Sequence, residues 1–137
     1  MKTQIIKLGI VIAIIASLIT VAALEQHFIQ GTYNQLETRV DALIKTIETM
    51  DEQNLDINTP ENIAEIESIY QWWLEKERSL SMLARHFDLA QVSVQIVYAK
   101  NFIIFNNAEE AMVGLRTMSY LIKTHSFNIG TSVQNVI

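Results

Sequence analysis

An uncharged apolar segment near the N-terminus, from Leu8 to Leu24, constrains the fold of this chain more than any other feature. The segment contains 17 residues, and Ile5 and Ile6 extend it on the other side of Lys7. A helix rises about 1.5 Å per residue, so roughly 20 apolar residues cross the ~30 Å hydrocarbon core of a bilayer. The sequence therefore predicts that residues 1–24 form a single transmembrane anchor.

Charges on either side of this segment predict its orientation. Lys2 and Lys7 precede the segment, and the next basic residue after it is Arg39. The positive-inside rule then places the N-terminus in the cytoplasm and residues 25–137 outside the cell membrane. A cleaved signal peptide is the alternative, because Val21-Ala22-Ala23 fits a cleavage site that would release a secreted domain. The length of the apolar segment and the helical pattern that continues after it favour a retained signal-anchor.

The composition of residues 25–137 excludes several classes of protein. This part carries eight basic and 15 acidic side chains, a formal charge of −7. An acidic domain is a poor nucleic-acid ligand, since affinity for nucleic acid depends on neutralising phosphates. The chain has no cysteine, so it has neither disulfide bonds nor thiolate chemistry. One proline and four glycines also argue against an all-β fold, which needs many turns.

Residues 29–50 predict the first helix of this exported domain. Apolar and aromatic side chains recur there at alternating steps of four and three residues, the heptad spacing of a coiled-coil seam. The positions are Ile29, Tyr33, Leu36, Val40, Leu43, Ile47 and Met50. Most of the positions between them are polar or charged, so we expect one buried face.

Capping signals divide the rest of the chain into three more helices. Thr59-Pro60 is typical of a helix start, and the apolar spacing predicts that this second helix extends to Phe87. Asp88 is expected to cap a third helix. The Asn107–Glu110 segment resembles a capping box that starts a fourth helix, whose pattern fades beyond Ser126. Short connections between amphipathic helices favour antiparallel neighbours, so the predicted fold is an all-α antiparallel bundle of about four helices.

A set of short motifs in the C-terminal half carries a family resemblance. They are Trp73-Leu74-Glu75-Lys76-Glu77, Leu83-Ala84-Arg85-His86, Lys100-Asn101-Phe102-Ile103, Asn107-Ala108-Glu109-Glu110-Ala111, Leu121-Ile122-Lys123-Thr124-His125 and the ending Asn135-Val136-Ile137. On these motifs the chain resembles the bacterial domain-of-unknown-function 4363 family. The resemblance implies one N-terminal membrane segment and a helical exported part. It implies no activity or cofactor.

Two histidines and one glutamate are the candidates for a polar site. His86 and His125 are expected near the ends of the second and fourth helices, which point the same way in an antiparallel bundle. Glu77 interrupts an apolar stripe, and we interpret it as a residue at the rim of the bundle that pairs with Lys76 or Arg78. A metal site is conceivable, but separated histidines lack diagnostic ligand spacing, so we predict neither a metal nor a cofactor.

The Trp72-Trp73 pair is the candidate for a partner-binding surface. Trp73 fits the apolar stripe of its helix, and Trp72 lies about 100° away around the axis. Tryptophan is common both in cores and at protein interfaces, so both interpretations stay open at this point. No serine–histidine–acid spacing, nucleophile elbow or glycine-rich phosphate loop occurs, and we predict no catalytic residues.

These observations lead to two functional hypotheses and disfavour an enzyme. The first is an accessory subunit that binds a membrane protein through its extracytoplasmic bundle, with a homo-oligomer also possible. The second is a small-molecule-binding or sensing module of the cell envelope, because helical bundles can hold ligands between their helices.

Overall fold

A computed structural model describes the backbone of residues 2–82 and 86–134 and the side chains of residues 6–82 and 88–125. It contains four helices: α1 (Lys2–Glu52), α2 (Pro60–Leu80), α3 (His86–Ile104) and α4 (Ala108–Gln134). The described residues include no strand. The predicted all-α fold, a long apolar N-terminal helix followed by further helices, is confirmed.

Helix α1 contains both the apolar segment and the first helical part of the bundle. It is 51 residues long and has no break after Leu24, as the sequence predicted. Its most apolar 18-residue window has a mean hydropathy of 2.5 and is 0% buried, so the bundle does not cover it. By length and composition this helix can cross a membrane.

The four helices form a ring in which each runs antiparallel to its neighbours. Arg39 on α1 binds Glu65 on α2, and Lys100 on α3 binds Glu67 on α2. Helix α4 closes the ring against α1 through the ion pairs Arg116–Glu48 and Lys123–Glu37. The residue number rises along α4 as it falls along α1, so these two helices are antiparallel. The hydrogen bond from Lys100 lowers the pKa of the Glu67 carboxyl below its usual value.

The core of the bundle is built from the predicted apolar faces. Six of the seven α1 seam positions are buried, and Met50 packs beside them half-buried. Apolar side chains at three- and four-residue spacing on α3 and α4 are buried as well, at Leu89, Val92, Ile96, Ala99, Ile103, Ala111, Leu115, Met118 and Ile122. Hydrophobic burial along these faces is the main force that holds the helices together.

Helix α2 begins where it was predicted and ends earlier. The Thr59 side chain accepts a hydrogen bond of 3.2 Å from the backbone N–H of Asn62, which confirms the cap. The helix stops at Leu80, where the Ser81 N–H donates to the carbonyl of Glu77 at 2.8 Å. The prediction of a helix through Phe87 is wrong. The apolar spacing continues past the break because the next helix also needs a buried face.

Helix α3 starts at His86, so Asp88 lies in its first turn and does not cap it. Residues 83–85, including Ala84, lie outside the described residues. Helix α4 runs to Gln134, beyond the point at Ser126 where the sequence pattern fades. The side chains of residues 126–137 lie outside the described part.

At the start of α4, one of the two hydrogen bonds of the predicted capping box is formed. Asn107 Oδ1 accepts a hydrogen bond of 3.1 Å from the backbone N–H of Glu110. The Glu110 carboxylate does not return to Asn107; it accepts a hydrogen bond from the hydroxyl of Tyr98 on α3. This bond raises the pKa of Tyr98. The glutamate therefore links α3 to α4 and leaves the cap to the asparagine.

Asn106 ties together the two loops at the end of the bundle far from the apolar segment, which we call the distal end. Its φ of 56° is the left-handed conformation that asparagine tolerates better than most residues. Asn106 Oδ1 accepts from the Ile57 N–H at 2.7 Å, and Nδ2 donates to Asp56 Oδ1 at 2.7 Å. One side chain thus fixes the α1–α2 loop against the α3–α4 loop.

Two glycines give a matched test of the packing between α3 and α4. A Cβ on Gly114 would lie 2.9 Å from Tyr98 Cδ1 and 3.1 Å from the backbone nitrogen of Ala99. Gly114→Ala should therefore lower the free energy of unfolding by about 1–3 kcal/mol, since the backbone of α3 must move. Chemical denaturation of the full chain in detergent, followed by circular dichroism, measures the change.

Gly31→Ala is the control, because a Cβ there meets nothing within 4 Å. It should raise the free energy of unfolding by roughly 0.5–1 kcal/mol through helix propensity. Equal effects of the two substitutions would contradict the close approach of α3 and α4.

Candidate functional site

A hydrogen-bonded chain of three side chains joins α2 to α3 inside the bundle. Trp73 is completely buried, and its Nε1–H donates to Ser93 Oγ at 2.8 Å. The Ser93 hydroxyl lies 3.0 Å from Glu77 Oε2 and 3.3 Å from the carbonyl oxygen of Leu89. A hydroxyl has one proton, and the carboxylate is the closer and stronger acceptor. Ser93 therefore accepts a hydrogen bond from the buried indole of Trp73 and donates one to the carboxylate of Glu77. We call this hydrogen-bonded chain the relay.

The position of Glu77 corrects its predicted pairing. The side chain is half-buried, and its described partner is Ser93 on the facing helix. Among the described side chains, neither Lys76 nor Arg78 forms an ion pair with it. The Lys76 ammonium lies over the ring of Trp72, 5.9 Å from the ring centroid. Glu77 thus interrupts the apolar stripe because it bonds across the α2–α3 seam.

Tyr33 on α1 lies beside this chain. Its ring centroid is 6.2 Å from that of Trp73 and 6.4 Å from that of His125, with which it stacks. Its side chain is only 1% exposed. Burial raises the pKa of Tyr33 to about 12, and the carboxylate of Asp88 adds to the effect. The phenol is therefore held in its neutral form.

His125 and Asp88 complete the same layer between α3 and α4. His125 Nδ1 lies 3.4 Å from Asp88 Oδ2, and the histidine side chain is largely buried. The side chain of His86 lies outside the described residues, so its predicted approach to His125 stays a prediction. Within the described side chains, no three histidine, aspartate or glutamate groups come close enough to hold a metal ion.

The layer as a whole connects all four helices at one height. Tyr33, Trp73, Ser93 and His125 come one from each helix. Tyr33 is nine residues beyond Leu24, about 14 Å along the helix axis, so the layer is near the apolar segment. The arrangement fixes the register of the helices.

The two tryptophans have different surroundings. Trp73 lies in the core with no exposed surface, so a surface role for it is ruled out. Trp72 is half-buried and lines an open groove of about 430 Å³ on the outer face of α1 and α2. The other lining residues are Asn34, Gln35, Thr38 and Arg39. We call this the Trp72 groove.

Arg39 is held rigidly at the edge of the Trp72 groove. Its Nη2 donates to Glu65 Oε1 and to Ser68 Oγ, both at 2.9 Å. The groove therefore offers an indole, two side-chain amides and an already neutralised guanidinium. This is a surface of mixed polarity without net charge, which suits contact with a protein more than with an ion.

Sequence reasoning missed the parts played by Ser93 and Tyr33. Ser93 is a polar residue directly beside the apolar stripe of α3, and Glu77 is a polar residue on the stripe of α2. Polar residues on two facing stripes are a signal for a bond between helices. The heptad pattern assigned Tyr33 to the core correctly, but it carries no information about a neighbouring carboxylate.

The fold and this layer define a four-helix up-and-down bundle whose first helix extends into a long apolar segment. The chain belongs to the family described as a domain of unknown function, DUF4363, which matches residues 31–135. The match begins after the apolar segment and covers the helices of the bundle. Comparisons with curated proteins and with solved structures give no match.

Removing the Ser93 hydroxyl tests the buried relay. In Ser93→Ala the indole N–H of Trp73 and the carboxylate of Glu77 lose their shared partner. The free energy of unfolding should fall by about 1–3 kcal/mol, the usual cost of leaving a buried donor unpaired. Ser79→Ala, on the exposed face of α2, should change it by less than about 0.5 kcal/mol. Equal values for the two variants would show that the relay contributes nothing.

The raised pKa of Tyr33 predicts a loss of stability in alkali. The ordinary value is 10.0 and the folded value is about 12. Because the folded pKa is the higher one, its stabilising effect is complete below pH 10 and is lost as the pH rises from about 10 to about 12. A difference of this size corresponds to about 2–3 kcal/mol.

Tyr33→Phe should remove this component of the pH profile, since phenylalanine does not ionise. Thermal unfolding measured at a series of alkaline pH values gives the comparison. Tyr120→Phe is the control, because the Tyr120 side chain is largely exposed on α4. A profile that keeps the same alkaline slope in Tyr33→Phe would contradict the assignment.

Proposed function

We propose that this protein is a membrane-anchored interaction subunit whose extracytoplasmic bundle binds a membrane-protein partner. Residues 1–24 hold the chain in the membrane with the N-terminus in the cytoplasm. The observation that carries the proposal is the Trp72 groove, an aromatic surface site outside the core of the bundle. No catalytic step belongs to this proposal.

The apolar half of α1 supports the anchoring part of the proposal. Its large side chains are about half to two-thirds exposed, from Ile6 to Leu24. A continuous exposed apolar surface of this length is unfavourable in water and favourable in lipid. The exposed segment is uncharged from Leu8 onward, and the preceding lysines give the proposed orientation.

The position of the Trp72 groove supports a partner that is itself in the membrane. The groove lies on α1 and α2, with Asn34 about 15 Å along the axis from Leu24. A protein embedded next to the apolar half of α1 would pass directly beside this surface. Half-buried tryptophans surrounded by polar side chains frequently supply much of the binding energy at interfaces.

A small molecule is the second candidate for the same groove. Its volume of about 430 Å³ is within the usual range for ligand sites, and Asn34 and Gln35 offer amides for hydrogen bonds. The groove is open to solvent along its length, whereas ligand sites usually enclose most of the ligand. This difference favours a protein partner over a small molecule.

Photocrosslinking from position 72 tests the proposal in intact cells. With a photoreactive amino acid in place of Trp72, we expect one discrete adduct with a membrane protein, identified by mass spectrometry. Peptides from the adduct also show whether residues 1–23 are retained. The control places the same amino acid at Asn101, an exposed position on α3. Absence of an adduct at 72, or the same adducts from both positions, would contradict a partner at the Trp72 groove.

A further inference from the structure

A second groove, distinct from the Trp72 groove, lies at the distal end between the end of α1 and the start of α4. Its volume is about 580 Å³. Four carboxylates line it, those of Glu48, Asp51, Glu52 and Glu109. We call it the acidic groove. It lies on the opposite end of the bundle from the layer around Tyr33.

The charges in the acidic groove are only partly neutralised within the chain. Among the described lining residues Arg116 is the one that is basic, and its Nη2 binds Glu48 Oε1 at 2.5 Å. Among the described side chains, Asp51, Glu52 and Glu109 have no ion-pair partner. Within the described part of the chain, the groove thus presents about three uncompensated negative charges.

Helix stability does not account for two of these carboxylates. Asp51 and Glu52 are at the C-terminal end of α1, whose last turn contains no basic residue. The helix dipole is negative at this end, so each carboxylate costs roughly 0.3–1 kcal/mol there. Glu109 differs, because the first turn of α4 favours an acidic side chain. The negative charge at the end of α1 therefore does not stabilise the helix.

Exposed apolar side chains accompany these charges. Val113 lines the acidic groove and is 50% exposed. Phe105 and Leu55, 75% and 53% exposed, lie on the two loops that Asn106 ties together. Glu52 is 28 residues beyond Leu24, about 42 Å along α1, so this apolar surface is too far from the lipid to be covered by it.

We infer that the acidic groove binds a basic amphipathic helix of a partner protein. Apolar side chains of that helix would pack against Val113, and its lysines or arginines would pair with Asp51, Glu52 and Glu109. An acidic segment would be repelled, and a neutral one would leave the carboxylates unpaired. A small polycation would leave the apolar side chains exposed. Positive charge together with an apolar face fits both halves of the surface.

This inference goes beyond the Trp72 contact and does not depend on it. The two grooves lie on different helix pairs, α1–α2 and α1–α4, and at different heights. A partner can use either one alone. Variants in one groove therefore report on that groove only, and Trp72→Ala should leave binding at the acidic groove unchanged.

Peptide binding to the full-length protein in nanodiscs of zwitterionic lipid tests the inference. The probe is a fluorescent peptide of about 18 residues with lysines on one helical face and leucine and phenylalanine on the other. A second peptide has the same composition in an order without helical amphipathicity. Fluorescence anisotropy should show binding of the first peptide that weakens as salt rises from about 0.05 to about 0.2 M. Equal binding of both peptides, or of neither, would overturn the inference.

A matched pair of double variants locates the binding. Asp51→Asn/Glu52→Gln removes two carboxylates at a helix end where their loss does not destabilise the fold. It should weaken the peptide about tenfold, as expected when close charge pairs are lost. Glu25→Gln/Glu75→Gln removes the same charge from exposed positions elsewhere and should change the affinity less than twofold. Equal losses in both would show a general charge effect and overturn the assignment.

The apolar half of the inference has its own variant. Val113→Ser keeps the charge of the acidic groove and alters an exposed side chain, so the thermal stability should be unchanged. The affinity for the amphipathic peptide should fall at least threefold. An unchanged affinity would show that the peptide is held by charge alone, and it would overturn the proposal of an amphipathic helix.

Discussion

Every other element of this structure depends on one unbroken helix that changes its surroundings along its length. The first half of α1 is apolar on all sides and uncovered, whereas from Ile29 onward only one face is apolar. Helices α2 and α4 pack on either side of α1, and α3 closes the ring. The connection from the apolar segment to the bundle is therefore a continuous hydrogen-bonded helix, which is much stiffer than a flexible linker.

The polar groups of the bundle fall into two kinds with different physical meaning. Near the apolar segment, Trp73, Ser93 and Glu77 are bonded to one another, and the described part of the chain contains no buried side-chain polar atom without a partner. Such a satisfied network specifies how helices meet and leaves little for a ligand to bind. At the distal end, the carboxylates of Asp51 and Glu52 are exposed, and no described side chain forms an ion pair with them. Groups of this second kind are the ones available to a partner.

The sequence predicted the buried positions well because they follow from periodicity alone. Tyr33, Leu36 and Val40 are buried as the heptad spacing requires. The break between α2 and α3 could not be predicted, because the apolar spacing continues across it and the Ser81 hydrogen bonds that end α2 carry no pattern. The hydrogen bonds of the candidate site were harder to predict than the helix boundaries. The relay through Ser93 depends on the relative heights of two helices, and the periodicity of a single sequence does not fix those heights. The same limit explains why Glu77 was assigned the wrong partner.

The hydrogen bonds by which Asn106 joins the two distal loops have a mechanical consequence. Because its side chain holds both distal loops, the far end of the bundle moves with α1 as one body. In the proposed orientation, the angle of α1 in the bilayer then sets where that end points. A change of 10° in tilt displaces a point about 40 Å along the axis by about 7 Å. Helix tilt responds to hydrocarbon thickness, so the lipid composition of the membrane would control the lateral reach of the acidic groove.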